Sequence, residues 1–139
     1  MINVSIEEYD GDYENLFDAS YFFLLHLFKD PIDLRVDIIF DDLGDSGDFT
    51  GLIEKIHGHH YEIYIHDGLS YSLTLITLAH ELTHVKQYFF QELLEHSNGD
   101  VTWKGKHYNH LSFHEFIPWE EEAFRMELDL YYRWLFLYK

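Results

Sequence analysis

The stretch Thr77 to Tyr88, TLAHELTHVKQY, sets His80 and His84 four residues apart with Glu81 directly after the first. It lies inside a longer run, residues 69 to about 94, in which Leu75, Leu78, Leu82, Val85 and Phe89 recur at helical spacing. That pattern predicts a helix, capped at Ser70 or Ser72 and stopped at Asn98-Gly99. Residues four apart on a helix stack on one face, so both imidazoles can aim at a single ion. They share this face with Leu73, Thr77, Gln87 and Gln91, away from the apolar stripe. Glu81, about a quarter-turn round, can touch a water held by the ion without ligating it, which is where a general base belongs. The plain alternative is two surface histidines on an amphipathic helix, in a chain that has eleven histidines.

Other segments complete an α+β order. Residues 13–29 form an apolar helical stripe through Leu16, Phe17, Tyr21, Leu24, Leu25 and Phe28, with Asp12 as N-cap and Pro31 beyond the end. Leu34, Val36, Ile38 and Phe40 alternate with charged residues and predict a first strand. The polar stretch DDLGDSGDFTG reads as a loop, and residues 52–66 then read as two strands folded at Gly58. Val101 and Trp103 suggest a short strand before a turn at Gly105, and Pro118 opens a helix that runs nearly to the end. With 139 residues, one domain over 1–139 is expected.

Composition narrows the function. Apolar residues make up 47% of the chain, enough for a packed core. No cysteine is present, which removes thiolate ligands and thiol nucleophiles. The acidic start has no basic flank followed by an apolar run, so a soluble cytoplasmic protein without signal peptide or membrane span is expected. A net charge of −17 argues against direct binding to nucleic acid or anionic membranes, and leaves open an acidic mimic that occupies a basic groove of another protein.

A catalytic zinc takes three protein ligands and keeps one position open. The stretch PWEEEAF offers three carboxylates, which a helix also favours in its first turn for their match to the dipole. Periodicity separates them. Glu120 continues into Phe124, Leu128, Tyr131 and Leu135 and is expected to face inward, whereas Glu122 is expected to be mostly exposed. An inward carboxylate needs a charge partner or a metal, which makes Glu120 the candidate third ligand. A histidine from His107, His110 or His114 is the alternative. The cluster His57, His59 and His60 reads as solvated turn histidines.

HELTH followed by PWEEEA resembles the gluzincin metallopeptidases, and small single-domain, phage-encoded members in particular. In that group the third ligand often opens an E-x-E-A frame, here Glu120-Glu121-Glu122-Ala123. The group often has an aspartate or asparagine four residues later to steady a motif histidine, where this chain has Phe124, so that partner must come from elsewhere. The resemblance implies a minimal zincin-like fold: an N-terminal helix, a sheet of three or four strands, a long H-E-x-x-H helix and a C-terminal glutamate-bearing helix. It also implies that the strand Tyr61 to His66 borders the cleft and pairs with an extended peptide.

The expected function is zinc-dependent hydrolysis of a peptide or protein substrate. One catalytic ion is held by His80, His84 and Glu120, Glu81 acts as base, and Tyr108, His110 or His114 assists at the oxyanion. The rivals are a zinc-binding interaction protein without catalysis and the acidic mimic of nucleic acid.

Overall fold

A computed structural model describes residues 1–44, 50–112 and 117–137. The chain runs β1 (Ile2–Glu7), α1 (Tyr13–Leu27), β2 (Leu34–Asp41), β3 (Gly51–His57), β4 (His60–His66) and α2 (Tyr71–Phe89). Then follow β5 (Leu93–Glu95), β6 (Val101–Trp103), β7 (Lys106–Tyr108), a 3-10 turn at His110–Ser112 and α3 (Pro118–Leu137). The described residues thus form an α+β arrangement of three α-helices and two sheets.

The larger sheet has the order β1-β2-β4-β3, with β1, β2 and β4 parallel and β3 antiparallel to β4. Register brings Val36 beside Tyr61, Ile38 beside Ile63 and Phe40 beside Ile65, so alternation gathers the apolar residues on one face. Leu16, Phe23 and Leu24 of α1 and Leu75, Leu78 and Leu82 of α2 cover that face. Leu130 and Trp134 of α3 close the core, and the Trp134 ring meets Phe22 edge-on at 5.5 Å. Each such side chain contributes about 1.5–3 kcal/mol when fully buried, and this is what fixes the motif helix against the sheet. A smaller core of Leu93, Val101, Trp103 and Trp119 joins the second sheet, β5-β6-β7, to the start of α3.

Several expectations hold. Asp12 caps α1 by accepting the Asn15 amide at 3.1 Å, Ser70 caps α2, Pro118 begins α3, and the β3–β4 hairpin turns at Gly58 with φ 59°. Others differ. β1 was not expected, although Ile2, Val4 and Ile6 alternate, and it forms the outer edge of the sheet beside β2. The motif helix ends at Phe89, not near residue 94, because Gln91 takes a left-handed conformation, φ 57°, and the chain turns into β5. Asn98-Gly99 lies instead in the link between β5 and β6. Among the described residues no helix is long and apolar enough to cross a membrane. Part of the expected polar loop, residues 45–49, lies outside the described residues.

Candidate metal centre

Two helices build the site. α2 and α3 pack side by side, and the α2 face that carries Thr77, His84 and Gln87 is buried. From α2, His80 and His84 bring their Nε2 atoms to 3.3 Å of each other. From the first turn of α3, Glu120 sets Oε1 3.0 Å from His80 Nε2 and 3.2 Å from His84 Nε2. Atoms of His80, His84 and Glu120, the last on a different helix, therefore surround one point.

The outer nitrogen of each imidazole is already engaged. His80 Nδ1 donates to Glu127 Oε2 at 2.8 Å, and His84 Nδ1 donates to Gln87 Oε1 at 2.8 Å. Gln87 is oriented in turn, since its amide nitrogen donates to the Trp119 carbonyl at 2.9 Å and to Glu122 at 3.0 Å. Acceptors on both Nδ1 atoms set the tautomer with its lone pair on Nε2. Two such lone pairs and a carboxylate oxygen repel one another unless a cation or protons stand between them.

The ionisation tendencies follow from that crowding. Burial opposes charge on His80, but hydrogen bonds to Glu120 and Glu127 outweigh it and its pKa is pushed up to about 9. His84 also shifts up, burial again being overcome, here by Glu120 and Glu81. Glu120 moves the other way despite its burial, held well below the usual carboxylate range by the two histidines. Burial pushes the Glu81 carboxyl up, with His84 and His80 opposing.

Glu81 is 6% exposed, and a carboxylate oxygen of it lies within 4.8 Å of both histidine ligand atoms. Its Oε2 is buried without a hydrogen-bond partner among the described residues. β3 passes directly over it. A Cβ at Gly51 would stand 2.6 Å from the Thr77 methyl and 3.4 Å from Glu81 Cγ, so only glycine lets the strand come so close.

A cavity of about 630 Å³ opens over these groups, walled by Gly51 to Ile53 on one side and by Trp119, Glu120 and Phe124 on another. The strand at its wall is β3, which among the described residues is the sheet edge opposite β1, and not Tyr61 to His66 as the resemblance implied. β4 is hydrogen-bonded on both sides, to β2 and to β3, and has no edge to offer.

Phe124 occupies the position four after Glu120 and packs on the His80 ring at 5.0 Å between centroids. The missing histidine partner is Glu127, seven after Glu120 and on the same side of α3; that two-turn spacing was the available sequence signal. Glu122 is not the exposed residue that periodicity suggested, because it bonds to Gln87 and pairs with Lys86 at 3.3 Å.

Of the oxyanion candidates, Tyr108 packs against Trp119 and His110 bonds to Asp100 at 2.6 Å, and neither lines the cavity. His107 also bonds to Asp100, at 2.9 Å. His114 lies outside the described residues. A second group, Asp37, His60 and Glu62, brings ligand atoms within 4.8 Å. Its Asp37 is already engaged by Ser5, His60 and Arg35, an arrangement that satisfies the carboxylate without an ion. His57 and His59 are exposed at the hairpin turn, as expected.

Three atoms bound to zinc at roughly 2.0–2.1 Å in a tetrahedron stand about 3.3–3.4 Å apart. The separations of 3.0, 3.2 and 3.3 Å fit such a face, with a Glu81 carboxylate oxygen within 4.8 Å of both histidine atoms. Compared with family models, with curated proteins and with solved structures, the chain matches none.

Proposed function

We propose that the chain is a zinc-dependent peptidase in which His80, His84 and Glu120 hold the metal and Glu81 is the general base. The observation that carries this reading is the triangle of ligand atoms with edges of 3.0 to 3.3 Å, both histidines presenting Nε2. Zinc is favoured over a harder cation because two imidazoles and one carboxylate form a mixed donor set of the kind zinc sites use.

Bound there, zinc supplies a Lewis acid and brings the ionisation of water towards neutrality. Glu81 takes the proton of the attacking water and passes it to the leaving amine. A carboxylate oxygen within 4.8 Å of both histidine atoms and an upward-shifted carboxyl suit both steps. Glu127 and Gln87 keep the imidazoles turned, so that neither ring swings away from the ion. Gly51 lets the β3 edge run beside Glu81, where an extended peptide can add as a further strand. The order of β3 edge, motif helix and glutamate helix agrees with a zincin-like arrangement and supports that reading of the fold.

Protein purified without added metal is expected to carry one zinc per chain by elemental mass spectrometry. It is also expected to cleave an unfolded protein substrate in a manner lost with a chelator and restored by zinc. Metal-free protein that binds no zinc, or cleavage indifferent to chelation, overturns the reading. Glu127→Ala should weaken zinc binding about 10–100-fold while leaving the melting temperature of the metal-free protein within a few degrees. Competition with a chelating dye measures this, and an unchanged affinity removes Glu127 from the site.

A further inference from the structure

Strand β5 carries Leu93 and Glu95 on the same side, because alternate residues of a strand share a face. Across the ladder, Leu93 stands opposite Trp103 and Glu95 opposite Val101. On β5 and β6 this face is therefore apolar but for one carboxylate; it continues on β7 into Tyr108 and Lys106, neither of which lines the cavity. With Trp119 and Tyr88 it forms one end of the cavity above the metal centre. The Tyr88 hydroxyl donates to Glu95 Oε1 and holds the carboxylate at that end.

The rest of the cavity decides the sign of what can enter. Its described lining holds the carboxylates of Glu81, Glu95, Glu120 and Glu127 and neither lysine nor arginine. Glu81, Glu120 and Glu127 face the two histidines, so Glu95 is the acid left for a ligand. Lys55 stands over the Tyr88 ring, 5.9 Å from its centroid, so an ammonium group is already accommodated beside this aromatic wall.

We infer that this end of the cavity is a side-chain pocket for lysine or arginine, with Glu95 as the residue that selects the charge; the inference rests on the peptidase reading for its place in catalysis. Apolar walls of Leu93, Val101 and Trp119 suit the aliphatic stem of such a residue, and the carboxylate suits its tip. A leucine or phenylalanine fills the walls and strips water from Glu95 without replacing it. A glutamate or aspartate meets repulsion from every carboxylate in the cavity.

Strand polarity fixes the side. β3 runs from Gly51, against Thr77 and Glu81, towards Lys55 over Tyr88. A peptide pairing antiparallel to β3, the stronger mode per residue, has its N-terminal half at Tyr88. The selected lysine or arginine therefore precedes the bond that is cut.

The test measures binding apart from cleavage. Protein carrying Glu81→Gln, as purified, is titrated with blocked, fluorescently labelled peptides that differ at one position, holding arginine, norleucine or glutamate. The arginine peptide is expected to bind about tenfold or more tightly than the norleucine peptide, and the glutamate peptide most weakly. Adding Glu95→Gln should erase the difference between arginine and norleucine. Equal binding of those two peptides, no binding of either, or a preference that survives Glu95→Gln overturns the pocket. The unsubstituted protein is then given the same peptides and its products are identified by mass. Arginine-selective binding without any cleavage sustains the pocket and removes the peptidase reading. Cleavage that is no faster after arginine than after norleucine does the reverse.

Discussion

Replacing Glu81 with glutamine should lower peptide cleavage by about 10²–10⁴-fold and leave one zinc bound per chain. The amide has the size of the carboxyl and fits the same slot, which is 6% exposed and closed on one side by the Gly51 backbone. What it lacks is the ability to accept a proton. Zinc analysis and initial rates on the same samples separate the outcomes. Loss of zinc along with activity makes Glu81 a ligand, and retained activity removes it as the base. A wild-type protein that binds zinc and cuts nothing is the interaction protein that the sequence left as a rival.

The same substitution has a signature in stability. Burial raises the Glu81 carboxyl above its ordinary range, so in the metal-free protein the group favours folding below that range. This contribution is lost as pH rises through the elevated value. Metal-free Glu81→Gln should therefore melt above the parent by a margin that grows with pH, read from melts at pH 5 and pH 8 in chelator. A margin that shrinks instead means that the carboxylate has a charge partner in the folded protein.

Much of this centre was legible because its chemistry is local. His80 and His84 share a face through their four-residue spacing, and Ser70 and Pro118 announce the starts of the two helices that meet there. Glu120 was singled out by its row, yet only the far part of that row, Tyr131 and Leu135, joins the core. Phe124 is 57% exposed and Leu128 46%, since α3 rests on α2 through Trp119, Ala123 and Leu130 and the Glu120 row looks across the cavity mouth. Gln87 was placed on the histidine face without its bond to His84, three residues before it, whereas Glu127 escaped notice because its partner His80 lies on another helix, and one sequence gives no distance between helices.

The limits elsewhere were also physical. Gln91 ends α2 in a conformation that glycine or asparagine would have signalled and glutamine does not. Val101 and Trp103 signalled β6 and Gly105 its turn, but β5 and β7 are too short for any period to reveal, and the pairing of β5 with β6 makes the cavity wall. Tyr61 to His66 has the right alternation for a cleft-lining strand, but its neighbours in the sheet are set by long-range pairing, which leaves β3 at the edge.

Zinc affinity should rise with pH up to about pH 9, because protons and the metal compete for the same lone pairs. In the metal-free protein the hydrogen bonds to Glu120 and Glu127 overcome burial and push His80 up to about 9. Its imidazolium then stabilises the fold fully below the ordinary histidine pKa, and that stabilisation fades as pH rises through about 9. Zinc must displace this proton, so apparent affinity climbs about tenfold per pH unit between roughly 6.5 and 9, and more steeply wherever His84 is protonated too. Glu120, held below the usual carboxylate range, stays ionised throughout and adds no slope. At free zinc a thousandfold above its dissociation constant the fold gains about 4 kcal/mol, on the order of a 10 °C rise in melting temperature. The gap between zinc-loaded and metal-free melts should widen from pH 6.5 to pH 9. His84→Ala removes one corner of the triangle and should abolish that gap together with cleavage. A gap that is flat or narrows with pH, or one that persists in His84→Ala, means that zinc binds somewhere other than between these imidazoles.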